Sequence, residues 1–251
     1  MVDMHAHIIY GVDDGSKSEE MTMEMLEMSK ESGVNKIVAT PHYMKGRFHV
    51  EFNEIKNMVH DINEKIKSRG LDIEVYCGQE VYYSENILEY YNNEEIGTIN
   101  NSRYMLIEFP MREFNIDEII ENLYELTLLG IRPIIAHPER YIPFIKKPSL
   151  INSFIDEGYL FQLNTGSLVG DFGKDVKKLA ETYLSNNIYS VIGSDAHSST
   201  KRNTDIREFM KVITKSQIRN FKNNSEMILD NKEIEFMGQA VKEKKKFLGI
   251  F

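Results

Sequence analysis

His5 and His7 flank Ala6 at the end of the first apolar run, and alternation along a strand aims both imidazoles to the same side. Two neutral imidazoles directed into one space are a ready pair of metal ligands. A fold that uses them has to bring further polar groups to the same place. The chain supplies candidates: Pro41-His42, Gly78-Gln79-Glu80, Ile107-Glu108-Phe109, His137-Pro138-Glu139-Arg140 and Ser194-Asp195-Ala196-His197 each follow or end a short, apolar, β-branched run.

Those runs alternate with helical patterns. After the first strand, Gly11-Val12-Asp13-Asp14-Gly15 is a polar loop. Ser18 then reads as the N-cap of a helix with Glu19 and Glu20 in its first turn, and Gly33 as its stop. Met21, Met25 and Met28 recur at helical spacing and are expected in the core. Further strands are expected at residues 36–40, 73–77, 104–109, 133–136, 160–164 and 190–192. Between them, Ile55, Val59, Ile62 and Ile66 mark one helix face closed by Gly70. Other helices are expected at 116–129 behind an Asn115 cap, at 148–157 and at 175–185. The last fifty or so residues read as helical, with Ile206, Phe209, Met210 and Ile213 on one face.

Seven strands separated by helices predict parallel β/α units, and so an α/β fold in the form of a closed or nearly closed seven-stranded (β/α)7 barrel. A doubly wound open sheet is the alternative. No low-complexity segment or Pro/Gly-rich linker interrupts residues 1–251, so a single domain is expected. Catalytic groups of a β/α barrel sit at the carboxyl ends of its strands. The candidate residues fall there on strands one, two, three, four, five and seven.

The formal net charge of −9 argues against the basic surface of a general nucleic-acid binder. No basic-then-apolar leader opens the sequence, and no run approaches the ~18 apolar residues needed to cross a bilayer. The single cysteine, Cys77, cannot form an internal disulfide and fits a reducing cytoplasm. A cysteine phosphatase needs an arginine six positions after its nucleophile; here that position is Tyr83, so a thiol mechanism is excluded. Cys77 reads as a small buried hydrophobe.

Five of the seven histidines, His5, His7, His42, His137 and His197, sit at expected strand ends, with Asp14, Glu80, Glu108 and Asp195 at equivalent places. His49 and His60 do not, and His60 is expected in solvent. Imidazoles and carboxylates without thiolate suit Mn²⁺, Fe²⁺ or Zn²⁺, and this many ligands exceed one ion. Together the His-x-His start, the Asp-Asp-Gly loop, Thr-Pro-His, Gly-x-Glu, His-Pro-Glu-Arg and Ser-Asp-Ala-His resemble a PHP (polymerase and histidinol phosphatase) domain over residues 1 to about 200. Within it the chain is similar to the CpsB/YwqE-type bacterial tyrosine phosphatases, which lack a cysteine nucleophile.

The resemblance implies the distorted barrel of the PHP fold and a site of three divalent metal ions, Mn²⁺ foremost, with Fe or Zn as alternatives. It implies that His5, His7, Glu80 and Asp195 hold one metal. Glu80 would bridge to a second, completed by Glu108 and His137, and Asp14, His42 and His197 would hold the third. Asp14 is favoured over Asp13 by the family's spacing. Arg140 matches a phosphate-binding arginine, and Lys201, Arg202 or Arg47 are candidates for a further cation. The implied activity is hydrolysis of phosphotyrosine on a bacterial tyrosine kinase of capsule or exopolysaccharide synthesis. A small-molecule phosphatase, as for histidinol phosphate, is the alternative. A non-catalytic metal-binding module and a nuclease are the weaker readings. Oligomeric state is left open.

Overall fold

Parallel strands covered by helices on their outer side are buried along their whole length, and four strands here are buried at every residue: Val2–Ala6 (β1), Tyr104–Glu108 (β6), Leu160–Asn164 (β8) and Val191–Gly193 (β9). The computed structural model describes residues 1–242. Its other strands are Lys36–Ala39 (β2), His42–Tyr43 (β3), Glu74–Cys77 (β4), Glu80–Tyr82 (β5) and Arg132–Ile135 (β7). They form two parallel sheets, β1-β2-β4 and β3-β5-β6-β7-β8-β9. A parallel bridge between Ala6 and Ala196 joins the first to the end of the second, with Asp195 N donating to His5 O at 2.7 Å and His7 N to Ala196 O at 2.9 Å. The sheet is therefore curled, as a half-barrel.

Two of the expected strands are each followed, after a break, by a short further strand that was not expected, so seven runs become nine segments. Thr40-Pro41 separates β2 from β3, and Gly78-Gln79 separates β4 from β5. Proline removes a ladder donor. At Gly78 an added Cβ would lie 2.8 Å from Val38 Cγ1, and Gln79 turns away to bind Val50 O and Gly97 N. Both breaks fall just before a ligand-type residue, His42 and Glu80.

Alternation along the strands sorts the core. Tyr104 and Leu106 join Val2, Met4, Val38, Ile134, Leu160 and Val191 in one cluster, whereas Met105 and Ile107 pack into another with residues of the covering helices. The helices are Glu19–Glu31 (α1), Phe52–Ser68 (α2), Ile87–Asn92 (α3), Ile116–Leu128 (α4), Ile142–Lys146 (α5), Asn152–Asp156 (α6), Thr165–Val169 (α7), Lys174–Ser185 (α8), Arg207–Val212 (α9) and Lys215–Leu229 (α10). None among the described residues is long and apolar enough to cross a membrane.

Ser18 and Asn115 cap α1 and α4. The buried face of α1 is rotated from the expected one: Thr22, Met23, Met25, Leu26 and Ser29 are inside, with Met21 and Met28 at its margin. Thr22 sets that rotation by donating to Ile8 O at 2.7 Å. The segment 148–157 is a 3-10 turn, Pro148–Ile151, running into α6. Helix also ends earlier than expected, since residues 230–242 have no regular structure; residues 243–251 lie outside the described residues.

Candidate metal centre

Nine side chains reach one space from successive strand ends. His5 lies in β1 and His7 just past it, Asp14 in the following loop and His42 in β3. Glu80 opens β5 and Glu108 ends β6. His137 follows β7, and Asp195 and His197 follow β9. His5, His7, Glu80, His137 and Asp195 are at most 1% exposed, whereas His42 and His197 are partly open and Asp14 is exposed.

Glu80 is the point of convergence. Its Oε2 lies 3.2 Å from His5 Nε2, 3.2 Å from His7 Nε2 and 3.1 Å from His42 Nδ1; its Oε1 lies 2.9 Å from His137 Nε2. Asp195 Oδ1 is 3.6 Å from His5 Nε2 and 3.5 Å from His7 Nε2. Asp14 Oδ1 is 3.6 Å from His42 Nε2 and 3.4 Å from His197 Nε2. Glu108 Oε1 is 3.7 Å from His137 Nε2. The ligand atoms of His7, Asp14, His42 and His197 gather within 4.8 Å of one another, as do those of His5, His7, Glu80 and Asp195, and those of His42, Glu80 and Glu108.

The residues fit divalent cations. Glu80 Oε2 and His42 Nδ1 are buried with no hydrogen bond, although three imidazole nitrogens surround that oxygen. Buried polar atoms without partners are costly, and lone pairs aimed at a common point are what an ion satisfies. Burial lowers His42 and His137 to about 4, so both rings are neutral donors. Burial works to raise the Glu80 carboxyl, but His5, His42 and His137 hold it well below the usual range. Glu108 then cannot ionise beside it: burial, Glu80 and Asp195 push it up to about 9. Such crowded acids ionise together only if positive charge is supplied.

Contacts behind these groups orient them. Asp13 Oδ2 accepts from His7 Nδ1 at 2.7 Å and from His42 N at 2.9 Å, leaving His7 Nε2 as a lone-pair donor. Gln162 Oε1 accepts from His5 Nδ1 at 3.0 Å and from His137 N at 3.2 Å. Such partners typically contribute about 10–100-fold in metal affinity. Asp13→Asn is accordingly expected to weaken metal binding by about that factor with the fold intact, read by metal titration of the stripped protein; wild-type affinity would remove Asp13 from this role.

Two of the nine residues hold left-handed backbone, His137 at φ 30° and Asp195 at φ 53°, a costly state for non-glycine residues that is concentrated at functional sites. Gly193 allows β9 to approach β1, since a Cβ there would lie 2.4 Å from His5 Cβ.

Arg140 and Arg202 stand over Asp195. Arg140 Nη1 donates to Asp195 Oδ2 at 2.6 Å, Arg202 Nη2 lies 2.6 Å from the same oxygen, and Asn164 Nδ2 donates to it at 2.8 Å. The Arg140 guanidinium also lies 4.6 Å from the centre of the Phe172 ring. Arg47, Arg140 and Arg202 all line a cavity of about 330 Å³ above the nine residues. Lys201 faces a neighbouring cleft that Arg202 also borders. Arg140 is largely buried and ion-paired into the site, unlike a surface residue.

Three groups were not apparent from sequence: Gln162, Asn164 and the second role of His-Pro-Glu-Arg. Glu139 is fully buried, accepts from Asn164 N and Tyr189 OH at 3.0 Å each, and is pushed up to about 7 by burial. It holds the end of β8 from which Asn164 reaches Asp195. A signal existed in β8, where Gln162 and Asn164 are polar at alternate positions of an otherwise apolar strand. His49 meets Glu95 away from the site, and His60 is exposed.

Over residues 1–234 the chain matches the family described as capsular polysaccharide synthesis, CpsB/CapC. It is 33% identical to the tyrosine-protein phosphatase CpsB of Streptococcus pneumoniae over 246 residues, covering 96% of this chain and 100% of that one. A solved structure from work on YwqE of Bacillus subtilis and CpsB of Streptococcus pneumoniae, described as metal-dependent tyrosine phosphatases, superposes with a TM-score of 0.90. It shares 28% identity and covers 97% of this chain and 100% of its own. The histidinol phosphate phosphatase of Lactococcus lactis superposes with a TM-score of 0.52 at 12% identity, over 84% of this chain and 92% of its own, a likeness of fold alone.

Proposed function

Because the chain belongs to the CpsB/CapC family of capsular polysaccharide synthesis proteins, we propose how it acts as a metal-dependent tyrosine-protein phosphatase and which residues carry the work. The observation that carries this reading is the convergence on Glu80 Oε2 of three buried imidazole nitrogens that leave it without a hydrogen bond. His5, His7, Glu80 and Asp195 are assigned to one divalent ion, Glu80, Glu108 and His137 to a second, and Asp14, His42 and His197 to a third. Nitrogen and oxygen ligands without thiolate favour Mn²⁺, with Fe or Zn as alternatives. Bound there, such ions supply Lewis-acid charge neutralisation and lower the pKa of water toward neutrality.

The chain's own groups do the rest. The guanidinium of Arg140, with Arg202 beside it, is placed to fork onto phosphoryl oxygens as charge develops on them. Asp13 and Gln162 keep His7 and His5 in the ligating tautomer. Phenolate, with a free pKa of about 10, leaves with little protonation help. Cys77 takes no part: burial raises its thiol, and it packs with Ile55, Val59 and Val75 behind the sheet.

We take residues 1–251 as one domain. Counting β2 with β3 and β4 with β5 reads the curl as a distorted (β/α)7 barrel. The capsule-synthesis family supports the tail of a bacterial tyrosine kinase as substrate, and the lone thiol supports action in the cytoplasm.

A parallel assay of a phosphotyrosine peptide, a phosphoserine peptide and histidinol phosphate with added Mn²⁺ tests the activity. The phosphotyrosine peptide is expected to turn over fastest, the rate to vanish on chelation and to survive thiol alkylation. Preference for histidinol phosphate would instead support the small-molecule reading, and full activity after exhaustive chelation would remove the metals.

A further inference from the structure

The rim of the 330 Å³ cavity is chemically two-sided. On one side stand Arg140, after β7, and Arg202, after β9. On the other, Met44 and Phe48 after β3, Tyr82 at the end of β5 and Met111 after β6 are uncharged, are not suited to hold a metal and line the ends of three strands adjacent in the sheet, with the cation Arg47 among them in the Met44–Phe48 hairpin. All four are partly exposed, whereas most of the floor is buried. A cavity of this size is at the low end for a small-ligand site.

Phe48 is held rather than loosely displayed. Met44 N donates to Phe48 O at 2.8 Å and Phe48 N to Met44 O at 2.9 Å, closing a tight hairpin through Gly46, whose φ of +84° suits glycine. The ring stacks on His42 at 5.6 Å with 10° between planes, and the Arg47 guanidinium lies 4.8 Å from its centre. Phe48 is thus held in place at the cavity rim by the hairpin, His42 and Arg47.

Resting on the phosphotyrosine reading above, we propose that Met44, Phe48, Tyr82 and Met111 form an aromatic-ring slot that selects aryl phosphomonoesters over phosphate compounds without an aromatic ring. A phosphomonoester has an anionic end and a carbon end. With the phosphoryl group between the floor and the arginines, the carbon side faces the arc of β3, β5 and β6. A phenyl ring gains aromatic and sulfur–aromatic contacts there. A serine side chain has no ring to place in the slot, and its backbone would lie close to the rim.

The test compares metal-loaded wild type, Phe48→Ala, Phe48→Tyr and Met111→Ala on phenyl phosphate and on acetyl phosphate, whose leaving group is good but not aromatic. Metal content and inhibition by inorganic phosphate are measured on the same samples. The ratio of kcat/KM for phenyl over acetyl phosphate is expected to fall about tenfold in Phe48→Ala, mainly through KM, and several-fold in Met111→Ala, on the scale of lost aromatic contacts. Phe48→Tyr should restore the ratio, with phosphate inhibition and metal content at wild-type values throughout.

An unchanged ratio in both alanine variants overturns the slot. So does parallel loss on both substrates with altered metal content, which would make Phe48 a prop for His42. Wild type inert on phosphotyrosine and phenyl phosphate, yet active on acetyl phosphate, overturns the phosphotyrosine reading and the slot together; the other failures overturn the slot alone.

Discussion

Glu80→Ala is expected to lose more metal than any other single ligand substitution and to lower kcat/KM by on the order of a thousandfold or more. No other carboxylate among the nine residues has both oxygens this close to imidazole nitrogens: Oε2 is within 3.2 Å of nitrogens from His5, His7 and His42, and Oε1 is 2.9 Å from His137 Nε2. Removing it takes a shared ligand from two of the three assigned ions and leaves buried imidazoles facing one another, His5 Nε2 and His7 Nε2 being 3.1 Å apart. Asp14→Ala removes a peripheral carboxylate that is exposed and belongs to one group only. Its loss should cost one ion. Glu80→Gln separates charge from shape, since the amide fills the same space. Metal analysis of the three variants, with circular dichroism to show the fold retained, decides the matter. Wild-type stoichiometry in Glu80→Ala would refute the bridging assignment.

The metal-type residues could be picked out in the sequence because each ends or follows an apolar run, and in parallel strands under helices such ends are where functional polar groups gather. Glu80 and Glu108 are charged residues directly after stretches that have to be buried, a juxtaposition with few inexpensive explanations. Asp13 and Asp14 differ in a way that sequence cannot resolve: adjacent carboxylates point apart, one to His7 Nδ1 and the other toward His42 and His197, and the loop that turns them is set by Gly15 packed on His7 O.

What was hidden depended on distance across the sheet. Gln162 is 157 residues from His5, and no local pattern links them. Arg202 and Lys201 are equivalent neighbours in sequence, yet Arg202, whose backbone is left-handed at φ 49°, reaches Asp195 while Lys201 stays on the adjacent cleft. The broken strands were also invisible as breaks, because Thr40-Pro41 and Gly78-Gln79 read equally well as strand ends. The face of α1 was misjudged by spacing alone: methionine tolerates a margin position, and the hydroxyl of Thr22, bonded to Ile8 O, decides which side turns in.

Arg140→Ala is expected to keep its metals and its fold while kcat/KM on a phosphotyrosine substrate drops by on the order of a hundredfold or more, the scale for removing one donor that stabilises transition-state charge. Its present partner makes this a sharper test than sequence allowed. Arg140 donates to Asp195 Oδ2, the oxygen that faces away from His5 and His7, so the guanidinium could act on substrate or merely hold Asp195 in place. A holding role predicts loss of metal from the His5, His7, Glu80 and Asp195 group together with activity. The structure argues against that, because Asn164 Nδ2 and Arg202 bind the same Oδ2, and Asp195 N is fixed by His5 O. Asp195 therefore stays oriented when Arg140 is removed, and the loss should appear in turnover. Arg140→Lys should recover only part of it, since an ammonium cannot form the two-pronged contact. Arg140 and Arg202 share one oxygen, so the double variant should be non-additive, losing less or more than the product of the single effects. Steady-state kinetics with metal content measured on the same samples separates these outcomes: turnover lost with metal retained supports the phosphoryl clamp, turnover and metal lost together makes Arg140 a positioning residue, and wild-type kcat/KM removes it from the site.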